Sequence, residues 1–223
     1  MKVDGDQNMH SSNQWPKVYP ILDASFIPAS GRAEFLRRMG GSLTAAGVTL
    51  LEYRNKTGAE AELLADAAIL RGAMPAGQVK LILDDRADLV EQVGFDGAHV
   101  DSGDLSPAEA RTLLGPERIV GTFGGSSALL PGILAEPADY FSIGPVFPTR
   151  TKQTSTPPIG MEGVRRLRAE AGAGPVLVAI GGITLATAAE ALSAGAIVVA
   201  IAGALFRQPD PADEFRCWMA ALD

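Results

Sequence analysis

Val48-Thr49-Leu50-Leu51-Glu52-Tyr53-Arg54-Asn55-Lys56 opens as an apolar run and closes as a charged one, and Glu60–Met74, with apolar residues three and four apart, follows it. The hydrophobic period thus changes from that of a strand to that of a helix within a few residues. A short apolar strand followed by an amphipathic helix is the building unit of a parallel sheet. The unit recurs along the chain. Val18–Leu22, Val48–Tyr53, Val79–Leu83, Gly97–Val100, Ile119–Thr122, Tyr140–Ile143, Val176–Ala179 and Ile197–Ile201 are predicted strands. Arg32–Ala46, Glu60–Met74, Arg86–Val93, Pro107–Leu114, Met161–Ala171 and Leu185–Ala194 are predicted helices. Ser106 before Pro107 and Thr184 before Leu185 read as helix starts. Gly47, Gly94, Gly115, Gly172 and Gly195 each follow a helix, as terminating glycines do. Eight such units in about 205 residues suit a closed (β/α)8 TIM barrel, a single α/β domain, better than an open sheet of five or six strands.

Composition agrees and narrows the function. The chain has 223 residues, 47% hydrophobic and 20% charged, which is ordinary for a globular protein. A single cysteine, Cys217, excludes a disulfide framework, and its apolar neighbours Trp218 and Met219 suggest packing. A net charge of −7 with no lysine or arginine run disfavours nucleic acid. No apolar run is long enough to cross a membrane, and the N-terminus lacks the order of a signal peptide, so a cytoplasmic location is expected. Residues 1–16 are polar and predict a disordered tail ahead of a barrel domain over 17–223, with Trp15 placed to anchor its end. No G-x-G-x-x-G follows the first strand, and no G-x-S-x-G occurs. The two histidines are His10 in the tail and His99, so a histidine zinc site is not expected; His99 reads first as a packed, hydrogen-bonded residue.

In a barrel of this kind the chemistry lies at the carboxyl ends of the strands. Glu52, Arg54 and Lys56 alternate along the second strand and share one face. Facing inward they form a charged ladder rising to the barrel mouth, suited to a polyanion such as a diphosphate; otherwise they are an ordinary exposed strand end. The third strand ends in Asp84-Asp85, of which only one should face the pocket, the other being free to cap the next helix. The fourth runs into Asp101 and Asp104, and a second carboxylate at a neighbouring strand end suggests a hard-cation site, magnesium. After the sixth strand, Thr149, Arg150, Thr151 and Lys152 lie on a loop stiffened by Pro145 and Pro148 that could wrap an anion, or could simply be solvated. Gly181 and Gly182 after the seventh strand and Gly203 after the eighth stand where such barrels bind phosphate through backbone N–H groups.

Several of these stretches resemble the thiamine phosphate synthase family, which includes thiazole tautomerase relatives. The similarity runs from about Val18 to Phe206. Its most specific piece is Gly144-Pro145-Val146-Phe147-Pro148-Thr149-Arg150-Thr151-Lys152, supported by Tyr53-Arg54-Asn55-Lys56, Asp85-Arg86-Ala87-Asp88-Leu89, Gly97-Ala98-His99-Val100 with Asp104-Leu105, and Ala179-Ile180-Gly181-Gly182-Ile183. The resemblance implies a magnesium-dependent transferase. It would join hydroxymethylpyrimidine diphosphate to thiazole phosphate and release diphosphate, through a pyrimidine-methylene cation that the thiazole nitrogen captures. It assigns diphosphate binding to Arg54, Lys56 and Lys152, magnesium to Asp85 and Asp104, and thiazole phosphate to Thr149 and Thr151 with Gly182 as a backbone donor. The implied partners are small molecules, with neither nucleic acid nor membrane; a homo-oligomer is left open.

The chain departs from that family at four places. Glu52 stands where glutamine is usual, Asp84 where asparagine is usual, Gly203 where serine is usual, and Thr122-Phe123-Gly124-Gly125-Ser126 replaces a Ser/Thr/His-containing run. Glu52 could still accept a hydrogen bond from an exocyclic amine. The departures leave two alternatives open: a substrate-shifted or inactive member that binds a phosphorylated ligand, and a tautomerase-like isomerase.

Overall fold

The computed structural model describes residues 15–101, 103–149, 151 and 155–223. Of the expected tail, residues 1–14 lie outside them. Eight strands close into a barrel in sequence order: β1 (Val18–Asp23), β2 (Leu50–Arg54), β3 (Lys80–Asp84), β4 (Gly97–Val100), β5 (Ile119–Gly125), β6 (Tyr140–Ile143), β7 (Leu177–Ile180) and β8 (Val198–Ile201). Every neighbouring pair is parallel, and β1 closes on β8 with Val18 opposite Val199. Among the described residues the helices are α1 (Arg32–Ala45), α2 (Glu60–Ala73), α3 (Val90–Val93), α4 (Pro107–Leu114), α5 (Gly160–Ala171), α6 (Leu185–Ser193), α7 (Gly203–Phe206) and α8 (Pro211–Leu222). The fold is the expected TIM barrel.

Side chains alternate between two hydrophobic layers, as strand geometry requires. Leu22, Leu51, Leu83, Val120 and Val199 point outward and meet Leu36, Leu43, Leu63, Leu70 and Leu167 of the helices. Tyr19, Ile21, Leu50, Ile82, Ile119, Tyr140, Val178 and Val198 fill the barrel interior. Trp15 closes the lower end, edge-on to Tyr140 with ring centroids 5.3 Å apart, as its expected anchoring role required. Two glycines create the room. A Cβ at Gly121 would lie 1.9 Å from the Tyr140 ring, and one at Gly97 would lie 2.0 Å from the Ile119 carbonyl oxygen. On the outside, Asp66 of α2 is buried and accepts from Arg32 of α1 and from the Tyr53 hydroxyl of β2, which locks the first unit together.

The anticipated caps are present. Ser106 and Thr184 each form a capping box, and Gly94 closes α3 in the left-handed conformation. Other expectations need correction. The Val48 N–H turns back to Leu43 of α1, so pairing in β2 begins at Leu50. Arg86–Val93 is not one helix. Asp85 takes a positive φ of 64° and Arg86 an irregular conformation, so a 3-10 turn at Ala87–Leu89 precedes the short α3. β5 runs on to Gly125, with a register shift between Phe123 and Gly125 against β6. Cys217 is exposed rather than packed, because α8 buries the stripe Ala212, Phe215, Trp218 and Leu222, and Cys217 falls off it.

Candidate active site

The carboxyl ends of the strands surround a cavity of about 660 Å³, within the range of small-molecule sites. Glu52, Arg54 and Lys56 rise along one wall, so the inward reading of the second strand holds. Asp84 lines the cavity beside them. Across it stand Thr149, Thr151, Gly181, Gly182 and Gly203. These nine candidate residues therefore meet in one space. Lys152 lies outside the described residues. Asp85 and Asp104 do not line the cavity, whereas Asp101 does.

The β1–β3 wall is a lattice of ion pairs. Arg54 donates to Asp23 at the end of β1 and approaches Asp84 at 3.4 Å. Lys56 contacts Asp85 and approaches Asp84 at 3.3 Å. Burial works to raise the Asp23 carboxyl, but hydrogen bonds from Ser25 and the Arg54 guanidinium hold it below the usual carboxylate range. Two oxygens are left over: Asp84 Oδ2, whose cation contacts lack hydrogen-bond geometry, and Asp85 Oδ1 are both buried without a hydrogen-bond partner. Asp104 sits on a turn, where its carboxylate accepts from the Asp101 backbone N–H at 3.1 Å.

The floor of the cavity is polar and was not foreseen. The Tyr19 hydroxyl donates to Glu52 Oε2 at 3.0 Å and lies 3.1 Å from the Tyr140 hydroxyl, which in turn is 3.0 Å from His99 Nδ1. Glu52 is only 4% exposed. Burial above all, then the nearby Asp84 charge, pushes its carboxyl up to about 8. At neutral pH Glu52 is thus largely a neutral acid, with one donor and one acceptor, as an amide has. Burial and the Glu52 charge likewise push both tyrosine hydroxyls well above their usual range, so both stay protonated donors. His99 bears out its reading as a packed, hydrogen-bonded side chain, and its ring also stacks on Tyr140 at 5.5 Å. Tyr19 and Tyr140 offered only weak signals: each is a polar aromatic on an apolar strand, which a packed core also uses.

The opposite wall depends on glycine. Gly181 and Gly182 have φ of 95° and 66°, and a Cβ at either would strike Pro145, Phe147 or the Pro148 carbonyl. The loop after β6 therefore lies directly on the end of β7, and this brings Thr149 and Thr151 to the cavity. Arg207, just beyond α7, also lines it, and no sequence signal had marked it.

This arrangement is a (β/α)8 barrel whose mouth gathers cations, hydroxyls and glycine backbone around one cavity. Comparison with known proteins sharpens that. The family model described as thiamine monophosphate synthase matches residues 18–205. A thiamine-phosphate synthase of Koribacter versatilis is 40% identical over 201 residues, covering 90% of this chain and 94% of the relative. One of Chloroflexus aurantiacus is 32% identical, covering 87% of each. The solved thiamine phosphate pyrophosphorylase of Pyrococcus furiosus superposes with a TM-score of 0.74 at 25% identity, covering 96% of each chain. The chain belongs to the thiamine monophosphate synthase family, and the function this membership carries is that of a thiamine-phosphate synthase, an enzyme of thiamine biosynthesis.

Proposed function

We propose that the chain joins hydroxymethylpyrimidine diphosphate to thiazole phosphate, releasing diphosphate. The observation that supports this reading most strongly is the split of one cavity into two unlike walls. One carries Arg54 and Lys56 above Glu52 and Asp84; the other carries Thr149, Thr151 and glycine backbone. The first suits a diphosphate over an amino-heterocycle, the second a phosphate monoester. In its acid form Glu52 offers the aminopyrimidine an acceptor and a donor side by side, so it can serve where glutamine is usual. Arg54 and Lys56 stabilise the charge that grows on the diphosphate as the C–O bond breaks. Lys152, adjoining the described Thr151, is assigned to the same task. The ring nitrogen of the thiazole then forms the new C–N bond, and no protein nucleophile is required.

Asp85 and Asp104 are the proposed magnesium ligands, and their chemistry fits. The donors are oxygen only, and Asp85 Oδ1 is buried without a partner. Among the described residues no three or more His, Cys, Asp or Glu side chains form a metal cage. Magnesium is commonly held by one or two carboxylates, with water and substrate phosphate completing its shell. Bound there, it would supply positive charge to the departing diphosphate. The proposal includes a cytoplasmic location and small-molecule partners. Among the described residues, no helix is long and apolar enough to cross a membrane. The test is direct: the purified chain, incubated with both substrates and magnesium, should form thiamine phosphate. Absence of product from folded protein would overturn the reading.

A further inference from the structure

Arg207 is the one cation lining the cavity whose positive charge meets no carboxylate among the described residues; Arg54 and Lys56 are both ion-paired. The Arg207 guanidinium instead rests over the Phe26 ring, its Cζ 5.5 Å from the centroid, and Phe26 in turn stacks on Phe206 at 6.1 Å. An aromatic face orients a guanidinium without satisfying its N–H donors, which leaves the fork free for an anion.

Gly203 explains how Arg207 reaches the cavity. A Cβ built there would lie 3.0 Å from Arg207 Nε, 3.5 Å from its Cδ and 3.2 Å from Thr151 Oγ1. The guanidinium stem and the threonine hydroxyl therefore converge over the bare backbone of Gly203, where a Cβ would crowd both and oblige one of them to shift. Gly203, Thr149, Thr151, Gly182 and Arg207 all line the cavity, and the Thr151 backbone N–H donates to Thr149 Oγ1 at 3.3 Å.

We propose that Arg207, admitted by the missing side chain at Gly203, binds the phosphate monoester of the thiazole substrate together with the Thr149 and Thr151 hydroxyls. This rests on the two-substrate reading given above, and it assigns to an arginine what a serine hydroxyl at position 203 would otherwise supply. A guanidinium presents two parallel N–H groups to a phosphate, a stronger contact than one neutral hydroxyl.

The experiment is steady-state kinetics on the wild type, Arg207→Ala, Arg207→Lys and Gly203→Ser, with calorimetric titration of thiazole phosphate into each. Arg207→Ala should raise KM for thiazole phosphate and weaken its binding by about 10- to 100-fold, the size of one charged hydrogen-bonding contact. KM for the pyrimidine diphosphate should stay within about twofold, since Arg54 and Lys56 are untouched. Arg207→Lys should recover part of the loss. Gly203→Ser should weaken thiazole phosphate binding too, and adding Arg207→Ala to it should cost little more. Unchanged thiazole phosphate affinity in Arg207→Ala, or an equal rise in both KM values, would overturn the assignment. Should the wild type bind thiazole phosphate yet make no thiamine phosphate, the transferase reading fails while the titrations still decide the role of Arg207.

Discussion

Replacing Glu52 by glutamine should flatten part of the protein's stability profile against pH. Glu52 is buried, and its carboxyl is raised from 4.5 to about 8. Below pH 4.5 it is protonated in both the folded and the unfolded chain, and its titration costs nothing. Between pH 4.5 and 8 the unfolded chain releases the proton while the folded chain keeps it, so stability falls as pH rises. Above pH 8 both are ionised and the full cost is in place. A gap of about 3.5 pH units, at about 1.4 kcal/mol per unit, makes that cost about 5 kcal/mol. Glutamine has the same shape, can accept the Tyr19 hydrogen bond, and does not titrate.

The difference between Glu52→Gln and wild type should therefore grow with pH, by about 3 kcal/mol between pH 5.5 and 8. In a domain of this size that corresponds to roughly 6–12 °C in Tm. Tyr19 of β1, Arg54 of β2 and Lys56 just beyond it, Asp84 of β3, and the linked Tyr140 and His99 face or adjoin Glu52. All are present in both proteins, so the comparison reports the exchange at position 52. The assay is urea unfolding of the metal-free proteins at half-unit pH steps. Parallel stability curves for the two proteins would refute the claim that Glu52 is held as a neutral acid. Turnover should survive in Glu52→Gln and fall in Glu52→Ala, which lacks both donor and acceptor.

Asp85→Asn keeps a residue that tolerates positive φ but removes the charge; the chain should fold normally, as read by circular dichroism, and lose magnesium-dependent turnover by about 10²-fold or more. Gly97→Ala drives a methyl group into the Ile119 carbonyl and should destabilise by about 1–3 kcal/mol or more, seen as a lower urea midpoint with unchanged m. Chelation of magnesium should abolish calorimetric binding of the pyrimidine diphosphate and leave thiazole phosphate binding intact.

The barrel was legible because its signals are local and repeated. Each strand is a short apolar run, each helix carries a three-and-four pattern, and glycines such as Gly94 mark the ends. The charged wall was legible for the same reason: Glu52, Arg54 and Lys56 share a face by alternation alone. What escaped the sequence depends on contacts across the barrel. Tyr19 and Tyr140 are 121 positions apart and meet only when the barrel closes. Arg207 looks like any surface arginine until Gly203 is seen to leave space beside it. Asp85 was read as one of a strand-end pair, but its backbone turns out of the strand at φ 64°, and that turn also broke the helix expected from Arg86.

The two walls differ in how their charge is balanced, and this bears on the order in which the site fills. Asp23, Asp84 and Asp85 face Arg54 and Lys56, so three formal negative charges meet two positive ones. A diphosphate arriving at that wall meets cations already engaged by carboxylates, with a net negative field behind them. It competes with those carboxylates for Arg54 and Lys56, and a full exchange of partners would leave a largely buried carboxylate uncompensated, a costly outcome. A divalent cation taken by the oxygens of the Asp85 side would remove that cost and free Lys56 for phosphate. The wall bearing Arg207 has no such obstacle, because its guanidinium rests on an aromatic ring. In a chain of net charge −7, the proposed reading therefore expects diphosphate binding on the first wall to depend on a metal, and phosphate binding on the second wall to persist without one.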